Sequence, residues 1–202
     1  MKYYLSSFKI GNEPEKLKQL VNNRTIGFIP NSLDHVPEPQ RSESNQKNMQ
    51  DLTDLGIRVE LLDLRAYFGK NELLRKKLKE LGGVWVRGGL TFILRQAMYL
   101  SGFDVLIKEQ DDNFLYGGYS AGVCVLAPSL EGIQQVDDPT IMPYKELQTP
   151  IMEGLNLLPY LVLPHYKSDH PESALIDKEV EYCTQHNIPF KTLKDGEVII
   201  LE

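Results

Sequence analysis

The fold is decided by the stretch Leu115-Tyr116-Gly117-Gly118-Tyr119-Ser120-Ala121-Gly122-Val123-Cys124-Val125-Leu126, in which an apolar strand runs through a glycine-rich turn into a short apolar helix. The turn has the pattern G-x-S-x-G, because so tight a turn leaves no room for side chains two residues before and after the serine. It lifts the Ser120 hydroxyl above the sheet edge and places the next N–H groups at a helix N-terminus, where negative charge is stabilised. The pattern alone arises by chance in about one such chain in fifteen. Its position between strand and helix is therefore what indicates a nucleophilic serine.

Outward from this turn, short apolar runs alternate with helical stretches, which predicts a single α/β domain over residues 1–202 with a mainly parallel sheet in three layers. Several runs are continuously apolar, as expected of strands that are covered on both faces. The predicted strands are Tyr3–Phe8, Thr25–Ile29, Val59–Asp63, Gly83–Val86, Asn113–Gly117, Tyr160–Leu163, Phe190–Leu193 and Val198–Leu201.

Helices are predicted between these strands wherever apolar residues share one helical face. Such faces are formed by Leu17, Leu20 and Val21, by Leu74, Leu78 and Leu81, and by Ile176, Val180 and Cys183.

Two loops stand out. Pro30–Asn45 is predicted to be a surface connection that leads into a helix, and Gly132–Pro150 to be a flap or hairpin over a site.

A serine nucleophile needs a base, usually histidine, and an orienting carboxylate. His165 follows the apolar run Leu161–Pro164 and so emerges from a strand end, where catalytic groups of open α/β sheets gather. His170 is the second candidate for the base, or a substrate contact, and Tyr119 beside the serine is a further expected substrate contact. His35 and His186 are expected at the surface.

The residue pattern alone does not decide which carboxylate orients the histidine. Asp195 lies in Leu193-Lys194-Asp195-Gly196, at a turn after a strand, but Asp-Gly is also an ordinary β-turn. The other candidates are Asp169, Asp137 and Asp138.

A second strand–glycine turn–helix pattern at Val84–Phe92 offers the free N–H groups of Gly88 and Gly89 as half of an oxyanion hole.

Composition narrows the classes of partner. A formal net charge of −6 argues against nucleic-acid binding, and no apolar run is long enough to span a membrane. The first residues lack the apolar core of a signal peptide, so we expect a cytoplasmic protein. Cys124 and Cys183 lack metal-type spacing and are expected to be reduced thiols. No metal or organic cofactor is implied, and the oligomeric state, a homodimer included, stays open.

Together these motifs resemble the peptidase E family of aspartyl dipeptidases, relatives of the cyanophycinases. The resemblance spans nearly the whole chain and rests on Gly88-Gly89 before Thr91-Phe92, Gly118–Gly122, Pro164-His165-Tyr166 and Leu193–Gly196. It implies the flavodoxin-like fold of class I glutamine amidotransferases and a serine peptidase acting on short peptides.

The resemblance also implies roles for individual residues. Ser120 would be the nucleophile, His165 the base and Asp195 the acid, in a place often held by glutamate. The N–H groups of Gly89 and Ala121 would bind the oxyanion. Asp137 or Asp138 would lie near the substrate's amino group, where a free ammonium needs a counter-charge.

Two departures bear on specificity. The family usually has asparagine after the glycine pair, where this chain has Leu90, and its selectivity for N-terminal aspartate is attributed to an arginine downstream of the histidine. Here Arg95 is the last arginine, and lysines such as Lys167 and Lys178 cannot supply its bidentate fork. Strict specificity for Asp-X dipeptides is therefore not expected.

Rival interpretations remain. An α/β-hydrolase esterase would also use G-x-S-x-G and could take Asp137 or Asp138 as its acid, but its HGGG-type oxyanion loop is missing. An amidotransferase would need a cysteine nucleophile, and Cys124 lies in the apolar helix after the turn. A non-catalytic binding or regulatory domain could use the same scaffold.

Overall fold

The computed structural model describes all 202 residues and contains a six-stranded sheet in the order β3-β2-β4-β5-β1-β8. Its strands are β1 (Lys2–Ser6), β2 (Thr25–Ile29), β3 (Arg58–Leu61), β4 (Gly83–Val86), β5 (Leu115–Tyr119) and β8 (Val198–Leu201). The first five are parallel, and β8 pairs antiparallel with β1 at one edge. The prediction of a mainly parallel α/β sheet is confirmed.

Helices cover both faces of this sheet. They are α1 (Pro14–Val21), α2 (Gln40–Asp54), α3 (Asn71–Glu80), α4 (Thr91–Ser101), α5 (Phe103–Leu106), α6 (Ala121–Cys124) and α7 (Ser173–Gln185). Alternation along the strands sorts the core into two layers. Tyr4 and Trp85 pack with apolar residues of α1 and α2, whereas Leu5 and Val86 pack with α3, α4 and α5.

Two predicted strands leave the main sheet. β6 (Leu161–Leu163) and β7 (Phe190–Thr192) pair parallel with each other in a separate two-stranded sheet. Its apolar side chains pack with α7 and with Phe92 of α4 in a third cluster. The chain therefore carries the His165 and Asp195 segments on a different sheet from Ser120.

Both predicted loops differ from expectation in part. Asn31 and Ser32 are fully buried, because the Asn31 side chain binds Asp34, Asp63 and the Leu64 N–H, while Ser32 Oγ donates to the Gly88 carbonyl. The helix that follows begins at Gln40. Residues 132–150 contain one 3₁₀ turn, Ile133–Gln135, and no hairpin.

None of the helices combines the length and the apolar character that crossing a membrane would require.

Candidate active site

Four parallel strands end at one edge of the main sheet, and each delivers a segment to the site. Ser7 follows β1, Ser32 follows β2, Gly88 follows β4 and Ser120 follows β5. Ligand sites of open α/β sheets lie at this carboxyl edge. The edge is therefore where the chemistry is expected.

Ser120 occupies a strained backbone conformation in the turn from β5 to α6. Its φ of 50° and ψ of −122° are rarely adopted by side-chain-bearing residues. The turn can form because Gly122 packs against β4, where an added Cβ would lie 2.3 Å from the Val86 carbonyl oxygen. The Tyr116 hydroxyl donates to the Gly122 carbonyl at 2.7 Å and fixes the turn from beneath. Ser120 itself is half-buried, and its hydroxyl makes no hydrogen bond within the chain.

The glycine pair after β4 is held beside this turn by Ser32. Ser32 Oγ donates to the Gly88 carbonyl at 2.7 Å, and the Leu90 N–H donates to the Ser32 carbonyl at 3.0 Å. Gly89 has a φ of +143°, and an added Cβ would meet the Ser32 carbonyl oxygen at 2.8 Å. Neither glycine donates its N–H to a backbone carbonyl, and the Gly88 N–H lies next to the Tyr119 hydroxyl. The N–H of Ala121 belongs to the first turn of α6, which offers it no intrahelical partner.

His165 and Asp195 form a direct pair. The His165 ring is 2% exposed, and its Nδ1 lies 2.7 Å from Asp195 Oδ1. Burial lowers the pKa of His165 below its usual 6.5, against the opposing effect of the Asp195 hydrogen bond. The histidine is therefore neutral at pH 7, with Nδ1 as donor to the carboxylate and Nε2 left as acceptor.

Ser7 holds this pair from the main sheet. Its hydroxyl accepts a hydrogen bond from the His165 N–H at 2.8 Å and donates to Asp195 Oδ1 at 2.9 Å. Ser168 Oγ accepts from the Asp195 N–H at 2.8 Å. The acid thus receives support from two serines in addition to the histidine.

His170 and Glu172 flank the other side of His165. The two imidazole rings stack at 3.7 Å with an interplanar angle of 7°, and Glu172 Oε2 lies 4.0 Å from His165 Nε2. The potential ligand atoms of these three residues lie within 4.8 Å of one another. Because the rings are nearly parallel, their in-plane lone pairs do not converge on one ion as a tetrahedral metal site requires. The stack instead restrains the orientation of the His165 ring.

A small cavity of about 20 Å³ lies directly beside Ser120 and Ala121. Three carboxyl groups line it, those of Asp137, Glu172 and Glu179. Asp137 accepts a hydrogen bond from the Thr91 N–H at 2.7 Å. Burial raises the pKa of all three groups, most strongly that of Glu179.

Several candidates from the sequence lie away from this cavity. Tyr119 is buried and donates its hydroxyl to Asn48 Oδ1, so it supports the turn and does not face the cavity. Asp138 is exposed, and its carboxylate accepts from the N–H and hydroxyl of Thr140. The expected substrate contacts of Tyr119 and Asp138 therefore have no support in this geometry.

The remaining alternatives for base and acid lie at the surface. His35, His186 and Asp169 are exposed, as expected for the two histidines. Of the four acid candidates, Asp195 is the one that binds His165. Cys124 is buried with a raised pKa, which fits a structural thiol.

Three residues at the site were missed from the sequence. Ser7 comes directly after an apolar strand, which is a usable signal for a side chain at the carboxyl edge. Glu179 lies three residues after Ile176 and four before Cys183, on the apolar face of the predicted helix. A carboxylate at such a position signals a buried charge. Glu172 precedes the helix and gives no such signal.

The sequence was compared with family models and with curated proteins, and both comparisons found peptidases. The family model of peptidase family S51 matches residues 9–202. The chain is 31% identical over 170 residues to an uncharacterized peptidase of Listeria monocytogenes, covering 83% of this chain and 78% of the relative. It is 31% identical over 184 residues to a peptidase E of Streptomyces coelicolor, covering 88% of this chain and 68% of that protein.

A solved structure shares the fold over the whole chain. The crystal structure of a Listeria monocytogenes EGD-e protein assigned to peptidase E superposes with a TM-score of 0.75 at 24% identity, covering 100% of this chain and 98% of that one. The family model covers nearly the whole chain, and the chain belongs to peptidase family S51.

Proposed function

We propose that this protein is a serine peptidase that hydrolyses short peptides through an acyl-enzyme formed on Ser120. The observation that carries the proposal is the pair of buried His165 and half-buried Asp195, with Nδ1 and Oδ1 2.7 Å apart, at the same sheet edge as the strained serine. Membership of a peptidase family supports the reaction class. The departures at Leu90 and after Arg95 argue against strict Asp-X specificity.

In the proposed mechanism His165 Nε2 takes the proton of the Ser120 hydroxyl as the serine attacks the peptide carbonyl. Asp195 holds the ring in the tautomer with Nδ1–H and stabilises the imidazolium that forms. His165 then gives the proton to the leaving amine. Water attacks the acyl-enzyme by the same route, which regenerates the serine.

The tetrahedral intermediate needs hydrogen-bond donors at its oxyanion. The N–H groups of Gly89 and Ala121 are the proposed donors, and Gly88 precedes Gly89 in the same glycine turn. They flank the serine from two different strands, β4 and β5, and their backbone is fixed before substrate arrives. Preorganised donors of this kind are worth about 10²–10³-fold in kcat for each one removed.

The test is hydrolysis of a dipeptide panel, with Asp-X beside other N-terminal residues, by wild type, Ser120→Ala and Ser42→Ala. Ser42 is an exposed serine of α2 and serves as the matched control. We expect turnover in wild type and Ser42→Ala and none in Ser120→Ala. A fluorophosphonate should label wild type but not Ser120→Ala.

Each rival has its own outcome in this experiment. Cleavage of simple esters with no requirement for a free amino terminus would favour an esterase. Absence of both turnover and labelling would favour a binding domain on the same scaffold and would refute the proposal.

A further inference from the structure

Arg87 is a buried cation beside the glycine turn, and the proposed mechanism leaves it unused. The residue follows β4 and is 6% exposed. Its Nε donates to the Gly88 carbonyl at 3.1 Å, and its two other nitrogens donate to the side-chain oxygens of Asn45 and Ser44 on α2. All of these acceptors are neutral, and no carboxylate acts on the guanidinium.

Stability gives no reason for a lone cation at this place. Burial of a charge costs free energy unless an opposite charge compensates for it, and burial lowers the pKa of Arg87 accordingly. The group stays protonated, because an arginine does not lose its proton in a protein. The other buried arginine, Arg95, is also 6% exposed but has the Asp104 carboxylate at 3.0 Å. The position of Arg87 therefore needs an explanation other than an ion pair.

The Gly88 carbonyl belongs to the peptide group that presents the Gly89 N–H. Ser32 Oγ donates to the same oxygen at 2.7 Å, so this carbonyl accepts from a neutral and from a charged donor. In a trans peptide group the C=O and the N–H point in opposite directions, so the Gly89 N–H points away from Arg87 and Ser32. Gly89 lines the cavity beside Ser120, and a Cβ added at Gly88 would lie 2.8 Å from Ser120 Cβ.

A hydrogen bond to the carbonyl strengthens the N–H of the same peptide group as a donor. Resonance joins the two ends of the planar group, so a donor at the oxygen draws electron density away from the nitrogen. Hydrogen bonds arranged in a chain polarise one another in this way, and the low dielectric of a buried site preserves the effect. A charged donor acts more strongly than a neutral one.

We propose that Arg87 is a positioning residue of the oxyanion hole, which fixes and polarises the Gly88–Gly89 peptide group so that the Gly89 N–H is a stronger donor to the oxyanion. The inference rests on the proposed function and adds to it a residue that touches neither the substrate nor the reacting atoms. Its effect falls on the transition state, where negative charge develops on the oxygen, and not on the binding of substrate.

The first measurement is the rate of Ser120 labelling by a fluorophosphonate, beside kcat and KM on the best dipeptide. Arg87→Gln removes the charge, and Arg87→Lys keeps it. Removal of a whole oxyanion donor costs about 10²–10³-fold, so a weakened donor in Arg87→Gln should lower the labelling rate and kcat about tenfold, with KM unchanged. Arg87→Lys should lose less. The control is Arg95→Gln, which removes the other buried arginine and should lower Tm without slowing the labelling.

A second measurement reads the peptide group itself and needs no activity. The chain has three Gly-Gly peptide groups, at residues 82–83, 88–89 and 117–118. Protein made with glycine that carries ¹³C at the carbonyl and ¹⁵N therefore gives three peaks in an NMR spectrum that correlates each amide with the preceding carbonyl. Arg87→Gln should shift the peak of 88–89 in both nuclei. The other two peaks should move no more than they do in Arg95→Gln.

Three results would overturn the inference: labelling of Arg87→Gln as fast as that of wild type, equal losses in Arg87→Lys and Arg87→Gln, or an unmoved peak for 88–89. Circular dichroism checks folding, and Arg87→Met replaces Arg87→Gln if the latter does not fold. Failure of the proposed function would look different. In that case the wild type itself would show neither turnover nor labelling, while the peak for 88–89 would still move in Arg87→Gln.

Discussion

Ser7 makes the most informative single substitution, because one buried hydroxyl serves both members of the His165–Asp195 pair. Ser7→Ala removes the hydrogen bond to Asp195 Oδ1 and leaves the His165 N–H without its acceptor. A hydrogen bond to a charged group contributes about 1.5–3 kcal/mol, and an orphaned buried donor costs about 1–3 kcal/mol. Because one hydroxyl supplies both bonds, the two contributions overlap, and a total of about 2–4 kcal/mol is expected.

This loss should appear in both stability and rate. For a domain of this size, about 3 kcal/mol lowers Tm by roughly 6–12 °C. Misplacement of His165 should also raise the activation free energy. If the rise is half to all of this loss, kcat/KM falls by roughly 10- to 100-fold. Thermal melts followed by circular dichroism and initial rates on the best dipeptide measure the two effects.

The matched control is Ser6→Ala. Ser6 is the neighbouring buried serine, and its hydroxyl donates to the Phe8 carbonyl instead of to the pair. We expect its kcat/KM to stay within about twofold of wild type, since no group of the site loses a partner. If Ser7→Ala and Ser6→Ala are equally active, the reasoning that Ser7 positions the pair is wrong.

Three further predictions follow from the geometry. In the pH profile of kcat/KM, the pKa on the acid side should lie below 6.5, because burial lowers the pKa of His165. Asp195→Asn should move it lower still, because the Asp195 hydrogen bond raises the pKa of His165 and is lost in this variant. An unchanged profile would contradict the pairing of the two residues. Gly122→Ala should lower stability by about 1–3 kcal/mol through overpacking, since its Cβ would lie 2.3 Å from the Val86 carbonyl oxygen, and an unchanged Tm would refute this. Glu179 binds its proton more tightly in the folded chain than at its usual pKa of 4.5, so its stabilising effect is complete below that pH and is lost as the pH rises toward the folded-state pKa. Glu179→Gln should therefore flatten the fall of Tm as the pH rises above 4.5, and an equal slope would show that the pKa of this group is not raised.

The strands were predictable because their signal is local. Continuous apolar runs such as Gly83–Val86 and Thr25–Ile29 have the bounds that the structure shows, since burial on both faces leaves little choice of residue. The turn at Ser120 was predictable for the same reason, because backbone contact with Val86 demands glycine there.

The residues that assist Ser120 are brought together by pairing between distant segments of the chain. A local sequence pattern does not reveal that pairing. Asp195 was one of four acid candidates by residue pattern, and only the parallel pairing of β6 with β7 brings it to His165. Ser32 was assigned to a surface loop, because its neighbours are polar and prolines follow. Its burial follows from a hydrogen bond to Gly88, 56 residues away in the chain.

The division of the site between two sheets limits how the protein withstands heat. Ser120 belongs to the six-stranded sheet, while His165 and Asp195 belong to the two-stranded one, which has fewer strands to hold it closed. A unit with fewer hydrogen-bonded strands can open locally at a lower free-energy cost than global unfolding requires. Each such opening would carry the base away from the nucleophile while the main sheet stays intact. The upper temperature for activity would then be set by detachment of the small sheet, below the temperature at which the helical signal disappears.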